Sequence, residues 1–349
     1  MPDCSIVGTA IRGIAAAVPE SEVLHSDLVA KFSEETVSKI EKNSGVLRRY
    51  RAKRGQTTAD LCEAAAIRIL DELSWSPESV DALILITQTP DYPYPATACY
   101  LHEKLGLAKS TAAFDVNLGC SGWVYGLWMA SSFIKSGLKR VLLLSGETHE
   151  MISPYDNYQV MAGDAGTATA LEANESETIH FSLGTDGKGW QQIYVPAGAS
   201  RKPSDDSTKI FREMNDGVKR CDENAYMNGP EVFAFTLREV PPLVKKILEQ
   251  STWSKDDVDF FVFHQANQFI LDHLCKRMKL PKEKAPLSLT EFGNTSSASI
   301  PLTIQHCLRQ QLSGHKLKLT MVGFGVGLSW GAAAAEVGPI TIPDLILLP

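Results

Sequence analysis

The sequence predicts an α/β protein assembled from two copies of one unit, and three observations carry that reading. Short apolar runs of strand length alternate with segments whose apolar residues recur at helical spacing. At a constant offset of 178, Ile69, Leu70, Trp75, Ser76, Val80 and Asp81 recur as Ile247, Leu248, Trp253, Ser254, Val258 and Asp259, with Asp71 answered by Glu249. Two tryptophans among the matches make chance a poor explanation, so the chain reads as a duplicated helix–turn–strand unit with pseudo-twofold symmetry. Each half also carries a small-residue turn that leads into a helix, Gly119-Cys120-Ser121-Gly122 in the first and Gly293-Asn294-Thr295-Ser296 in the second. The division falls between an N-terminal half, 1–178, with Cys120 and a C-terminal half, 179–349, with His264 and Asn294. Strand ends in such a molecule converge near the axis, where a shared site belongs.

In chain order, Ser5 to Ile14 is β-like, and a polar stretch after Pro19 predicts a helix from Ser26 to Lys42. Residues 45–57 read as loop and short strand. The spacing of Leu61, Ala64, Ala65, Ile69 and Leu73 predicts a helix from Ala59 to Leu73, which Ser76-Pro77 ends. Val80 to Ile86 is the continuous apolar run of a strand buried on both faces. Three prolines keep Thr87 to Pro95 irregular. Helix returns over Ala96 to Leu105, and Ala112 to Val116 is the strand that delivers Cys120. In the second half an apolar strand runs into His264-Gln265-Ala266-Asn267, and the closing stretch reads as strand, a glycine-rich bend from Gly323 to Gly327, and strand.

Cys120 stands where strand becomes helix. The free N–H groups and positive end of that helix act to lower a thiol pKa, which is how a nucleophile is made. Gly119 and Gly122 allow a sharp turn and the approach of a substrate carbonyl to the Cys120 N–H, half of an oxyanion hole. A buried structural cysteine would suit the same turn. His264, at a strand end beside Gln-Ala-Asn, is more informative than a histidine on an apolar helix face. Asn294 also fits ordinary turn and N-cap chemistry.

Bulk properties narrow what this chemistry serves. A formal net charge of −7 offers no basic field for nucleic acid. The one basic run, Arg48 to Arg54, reads as a solvated face or as a site for an acidic carrier or phosphorylated cofactor. The start lacks a secretory pattern and no run reaches the ~18 apolar residues of a membrane span, so a cytoplasmic protein without a membrane partner is expected. The seven cysteines form no Cys-x-x-Cys and no zinc spacing. There is no dinucleotide fingerprint or P-loop. No metal and no resident cofactor are therefore expected.

Gly-Cys-Ser-Gly with its helix, His-Gln-Ala-Asn at 264–267, Gly-Asn-Thr-Ser-Ser-Ala-Ser at 293–299 and Gly-Phe-Gly-Val-Gly-Leu-Ser-Trp-Gly at 323–331 resemble the signatures of β-ketoacyl-ACP synthase III, in the thiolase superfamily. The resemblance spans almost the whole chain. It implies a thiolase-like, five-layered αβαβα fold and a homodimer. It also implies a catalytic set of Cys120, His264 and Asn294, with the backbone N–H groups of Cys120 and Val326 as oxyanion donors. Cys120 would take an acyl group from acyl-CoA or an acyl carrier protein, and decarboxylation of a malonyl thioester would supply the attacking carbanion. Met227, Gly229, Phe233 and Phe324 correspond to substrate contacts, and Tyr94 to a residue that crosses the dimer interface and favours a compact primer. Lys276 and Arg277 remain as carrier-docking candidates. The chain departs from the family pattern at its entrance: Lys39 and Asn43 replace the usual Trp and Arg that hold the coenzyme A adenine, Gln268-Phe269 replaces a basic residue, and an arginine is missing before Gly163-Asp164. An acyltransferase that passes the Cys120-bound acyl group to a hydroxyl or amine is the alternative reading.

Overall fold

A computed structural model describes residues 3–349. Among them nine strands form one mixed sheet: β1 (Asp3–Pro19), β2 (Ala82–Ile86), β3 (Ala112–Val116), β4 (Arg140–Glu147), β5 (Ala165–Thr185), β6 (Phe260–Phe263), β7 (Leu317–Gly325), β8 (Ser329–Val337) and β9 (Ile346–Leu348). The order is β6-β7-β8-β5-β4-β2-β3, with β1 antiparallel to β5 and β9 parallel to the end of β1. The helices are α1 (His25–Val29), α2 (Glu34–Ser44), α3 (Thr58–Glu72), α4 (Thr97–Lys104), α5 (Gly122–Lys135), α6 (Gly229–Ser251), α7 (Gln268–Met278), α8 (Leu289–Phe292) and α9 (Ser299–Gly314).

Strand alternation explains the layers, because successive side chains point to opposite faces. On β2 and β4, Leu83, Leu85, Leu142 and Leu144 pack outward with α3 and with Leu101 of α4, while Ile84, Ile86, Val141 and Leu143 pack inward. On β6 and β7, Val262, Leu319 and Met321 turn inward to the same central core, while Phe261, Phe263, Val322 and Phe324 turn outward to α6 and α7. The inner layer between the two arms of the sheet is α5 and α9, through Trp123, Leu127, Ile300, Ile304 and Leu308. Helix, sheet, helix, sheet, helix is the five-layered αβαβα arrangement of the thiolase fold.

The repeat is visible in detail. The N–H groups of Lys139 and Arg140 donate to the Asp81 carboxylate at 2.6 and 2.9 Å, and that of Lys318 donates to Asp259 at 2.7 Å. Arg140 lies over Trp75 and Lys318 over Trp253, at 4.5 and 5.3 Å from the ring centres. Ser74 and Thr252 both adopt the left-handed conformation, φ 52° and 61°. The position between residues 178 and 179 falls inside β5. That strand pairs with β4 through its first part and with β8 through its last, so the sheet runs continuously from one half to the other.

Of three local expectations, one is corrected and two are refined. The helix expected from Ser26 to Lys42 is two helices, because Ser33 accepts the Thr36 N–H at 3.2 Å and starts a second one. The sharp turn expected at Gly119 and Gly122 is present, with the Gly122 N–H donating to Gly119 O at 2.7 Å, and both glycines also allow close packing, since a Cβ would stand 2.4 Å from the Gln88 side chain and 2.3 Å from Ile86 respectively. The basic run is a free cationic face only in part, at Lys53 and Arg54, which are exposed. Arg48 pairs with Glu291, Arg49 is only 1 % exposed, and Arg51 pairs with the buried Asp164.

Candidate active site

Cys120 is held between two turns. Its own turn opens α5, and Ser121 Oγ lies 2.7 Å from Ser329 Oγ, which in turn donates to the Val326 carbonyl at 2.7 Å. This ties the nucleophile turn to the β7–β8 hairpin. Gly325 in that hairpin has φ 157°, and a Cβ on it would stand 2.7 Å from Cys120 Cβ and 2.8 Å from Sγ. Only glycine lets the hairpin backbone lie against the sulfur. The backbones of Val326 and Cys120 hydrogen-bond toward the sulfur, and Ser296 Oγ stands 3.9 Å away. These contacts favour thiolate, but burial is the larger influence and leaves the thiol above its ordinary range. The lowering expected from the helix end is thus outweighed in the free enzyme.

His264 follows β6 directly and is buried. Its Nδ1 lies 2.7 Å from Ser299 Oγ at the start of α9, which leaves Nε2 for another group, and Phe324 meets the ring edge-on at 5.6 Å. Burial lowers its pKa to about 3, so the ring is neutral at ordinary pH. Asn294 lies in the α8–α9 turn. Its N–H donates to Met161 O at 2.8 Å and its carbonyl accepts from Gly163 N–H at 3.1 Å. Gly293 beside it has φ 67°, and a Cβ there would meet Met161 O at 2.4 Å. Asn294 Oδ1 accepts from Ser296 N–H at 2.9 Å, which fixes the amide so that Nδ2 is the donor, 3.3 Å from Ala266 O.

Cys120, His264 and Asn294 all line one cavity of about 850 Å³. Val326, Phe324, Met227 and Gly229 line it too. Phe233 does not: it turns away to pack with Phe269 and His273, at 5.3 and 5.4 Å, while Val232 and Thr236 of the same helix face the cavity. Tyr94 is 86 % exposed and lies outside the cavity of its own chain, as do Lys276 and Arg277, exposed in the last turn of α7.

Several wall residues were missed by sequence reasoning. Glu147, at the end of β4, accepts from the Gln88 N–H at 3.1 Å and from Thr89 Oγ1 at 2.9 Å; burial, opposed by these bonds, raises its pKa to about 8. His149 Nδ1 lies 2.9 Å from Asp164 Oδ1, and Arg51 lies 3.3 Å from the other carboxylate oxygen. Tyr158 meets His149 edge-on at 6.5 Å. The available signal was that Arg140–Glu147 is an apolar strand parallel to β2, whose carboxyl end must open on the same crevice as Cys120.

The family profile described as 3-oxoacyl-[acyl-carrier-protein (ACP)] synthase III matches residues 114–187, and its C-terminal counterpart matches residues 248–337. A β-ketoacyl-[acyl-carrier-protein] synthase III of Caldanaerobacter subterraneus is 33% identical over 95% of this chain and 99% of its own. The chain belongs to the 3-oxoacyl-[acyl-carrier-protein] synthase III family. The crystal structure of a Burkholderia xenovorans 3-oxoacyl-(acyl-carrier protein) synthase superposes with a TM-score of 0.93 at 43% identity, covering 99% of this chain and 98% of that one. A synthase III of Pseudomonas aeruginosa gives 0.83 at 30%, covering 96% and 99%. As a 3-oxoacyl-ACP synthase III the protein is an acyl-transferring condensing enzyme whose partners are acyl carriers. The positions at which the motifs depart from the family resemblance lie on α2 and α7. Lys39 and Asn43 are exposed on α2, the Gln268 side chain packs against Gly45 at the end of that helix, and the Phe269 ring lies tilted against His273 with ring centres 4.2 Å apart.

Proposed function

We propose that this synthase primes on Cys120 and condenses with the help of His264 and Asn294. The Cys120 thiolate attacks an acyl thioester carbonyl, the Cys120 and Val326 N–H groups hold the oxyanion, and the carrier thiolate leaves. A malonyl thioester then loses CO2. Its enolate oxygen is held by His264 Nε2 and Asn294 Nδ2, and its carbon attacks the acyl-Cys120 carbonyl to release a 3-oxoacyl thioester and the Cys120 thiolate. The observation that carries this reading is the convergence of the three side chains on one cavity. There Ser299 occupies His264 Nδ1, and Ser296 N–H occupies Asn294 Oδ1. With the Ser299 hydroxyl donating to Nδ1, the neutral ring carries its hydrogen on Nε2, and the Asn294 amide presents Nδ2.

The working form in this reading is a cytoplasmic homodimer. Support comes from β3, which ends the sheet with one backbone edge unpaired among the described residues, and from Tyr94, exposed beside it. Pairing of β3 with its copy would carry Tyr94 to the partner's acyl pocket, while Lys276 and Arg277 would receive an acidic carrier.

The test is intact-protein mass after incubation with acyl-CoA and acyl-carrier thioesters, with Cys120→Ala as control, followed by malonyl carrier. An adduct on Cys120 that disappears with CO2 release and a product two carbons longer is expected. An adduct stable to malonyl carrier but discharged by an alcohol or amine overturns condensation in favour of plain acyl transfer.

A further inference from the structure

The wall of the cavity around Cys120 is not what a plain alkyl chain needs. His149 lines it from just beyond β4, and Tyr158 lines it from the turn before Gly163. His149 is a built group. Both its N–H and its ring Nδ1 lie 2.9 Å from Asp164 Oδ1; Asp164 is 2 % exposed and also accepts from the Ala52 N–H at 2.8 Å. Arg51 closes the assembly, donating to the His149 carbonyl at 2.9 Å. Asp164 is held below the usual carboxylate range, chiefly by His149 and Arg51 working against burial, so it acts as an acceptor and the ring hydrogen sits on Nδ1.

His149 Nε2 has no protein partner among the described residues, and in the neutral ring with its hydrogen on Nδ1 it is an acceptor. The Tyr158 hydroxyl likewise has no such partner. Both residues line the cavity. One atom accepts a hydrogen and the other donates one, and the two rings are edge-on neighbours. Thr148, next to His149, donates its N–H to Thr89 Oγ1 at 3.1 Å, and Thr89, Glu147 and Cys120 line the same cavity.

We propose that His149 and Tyr158 form a polar subsite that selects a primer acyl group bearing a hydroxyl on its chain over the unsubstituted acyl group of the same length. The inference rests on the reading that the primer is carried on Cys120. A hydroxyl gives its hydrogen to Nε2 and accepts one from Tyr158. An alkyl chain in the same place removes water from both groups and returns nothing, and that unpaired cost is what makes such sites selective.

The experiment measures kcat/KM for acylation of wild-type Cys120 by hexanoyl-CoA, 3-hydroxyhexanoyl-CoA and 5-hydroxyhexanoyl-CoA, read by intact mass, with His149→Leu and Tyr158→Phe beside it. At least one hydroxyacyl thioester should exceed hexanoyl by about tenfold, the worth of one net hydrogen bond, and each variant should shrink that ratio mainly through KM. Tyr158→Phe loses one oxygen atom and keeps the test valid if His149→Leu fails to fold. Hexanoyl acylating as fast as both hydroxyacyl thioesters, or a preference unchanged in both variants, overturns the subsite while leaving Cys120 priming intact. No adduct from any of the three while acetyl-CoA still acylates Cys120 overturns the subsite alone, and no adduct from acetyl-CoA either removes the priming reading with it.

Discussion

Neutral His264 and the amide of Asn294 act on the same oxygen, so their loss should be felt in one step only. Burial lowers the histidine pKa to about 3, and a lowered histidine is neutral at every pH above that value. Condensation from preloaded acyl-Cys120 should therefore show no histidine titration between about pH 5 and 8. Losing one oxyanion-type donor costs about 3–4 kcal/mol of transition-state stabilisation. His264→Ala or Asn294→Asp should cut condensation by about 10²–10³-fold, while adduct formation on Cys120 stays measurable by single-turnover mass analysis. Parallel loss of both steps in a folded protein would refute the division of labour. Acylation behaves differently, because burial raises both the Cys120 thiol and the Glu147 carboxyl, the latter to about 8, and each anion disfavours the other. Acylation should rise with pH through the thiol titration. Glu147→Gln removes the competing negative charge and should move that rise toward lower pH. A profile unchanged in Glu147→Gln, measured by iodoacetamide trapping of Cys120, would show that the two charges are uncoupled.

At the scale of elements, the β7–β8 hairpin controls the nucleophile through its backbone. A Cβ at Gly325 would meet the Cys120 sulfur, so Gly325→Ala must push the hairpin and its Val326 N–H away. Acylation should fall by about 10²–10³-fold, the size of one lost oxyanion donor, with little change in thermal midpoint. A variant that acylates at the wild-type rate would remove Val326 from the oxyanion role. Elements of this kind explain what the sequence made legible. The continuous apolar run from Val80 to Ile86, the Trp75/Trp253 repeat and the turns before α5 and α9 are local patterns, and the structure places them as expected. The break between α1 and α2 was hidden because Ser33 caps a helix inside a stretch whose polar residues fit one long helix equally well. Phe233 was misplaced because helix phase is not fixed by a motif match: Val232 and Thr236 lie on the cavity face, and Phe233 lies one residue round from it. His149 and Glu147 carry no motif at all. Their importance comes from a strand end that tertiary folding brings beside Cys120.

Over the whole molecule, the path of paired strands ends at β6 and at β3, and β3 is the end that leads into the Cys120 turn. Ala112 N–H donates to Asp81 O at 3.0 Å, so alternation in a parallel pair turns the N–H groups of Ala113 and Asp115 away from β2. Along this edge stand Phe114 with Phe133 of α5, and Trp128 and Met129 are only partly buried. A flat, half-apolar edge is a template for pairing with a second copy, and natural proteins blunt such edges unless they use them. The face of β3 toward β2 needs the N–H of residue 112 and not that of 113. Ala113→Pro therefore removes an outward donor while sparing the pairing within the chain, as proline does on edge strands. Sedimentation velocity should find wild type dimeric and Ala113→Pro largely monomeric, with a thermal midpoint lowered by no more than loss of the subunit contact explains. The monomer should also lose acylation rate, because Tyr94 reaches no cavity of its own chain. A monomeric wild type, or a variant that stays dimeric, would place the subunit contact elsewhere. A monomer that acylates at the full rate would keep the dimer but take Tyr94 out of the acyl pocket.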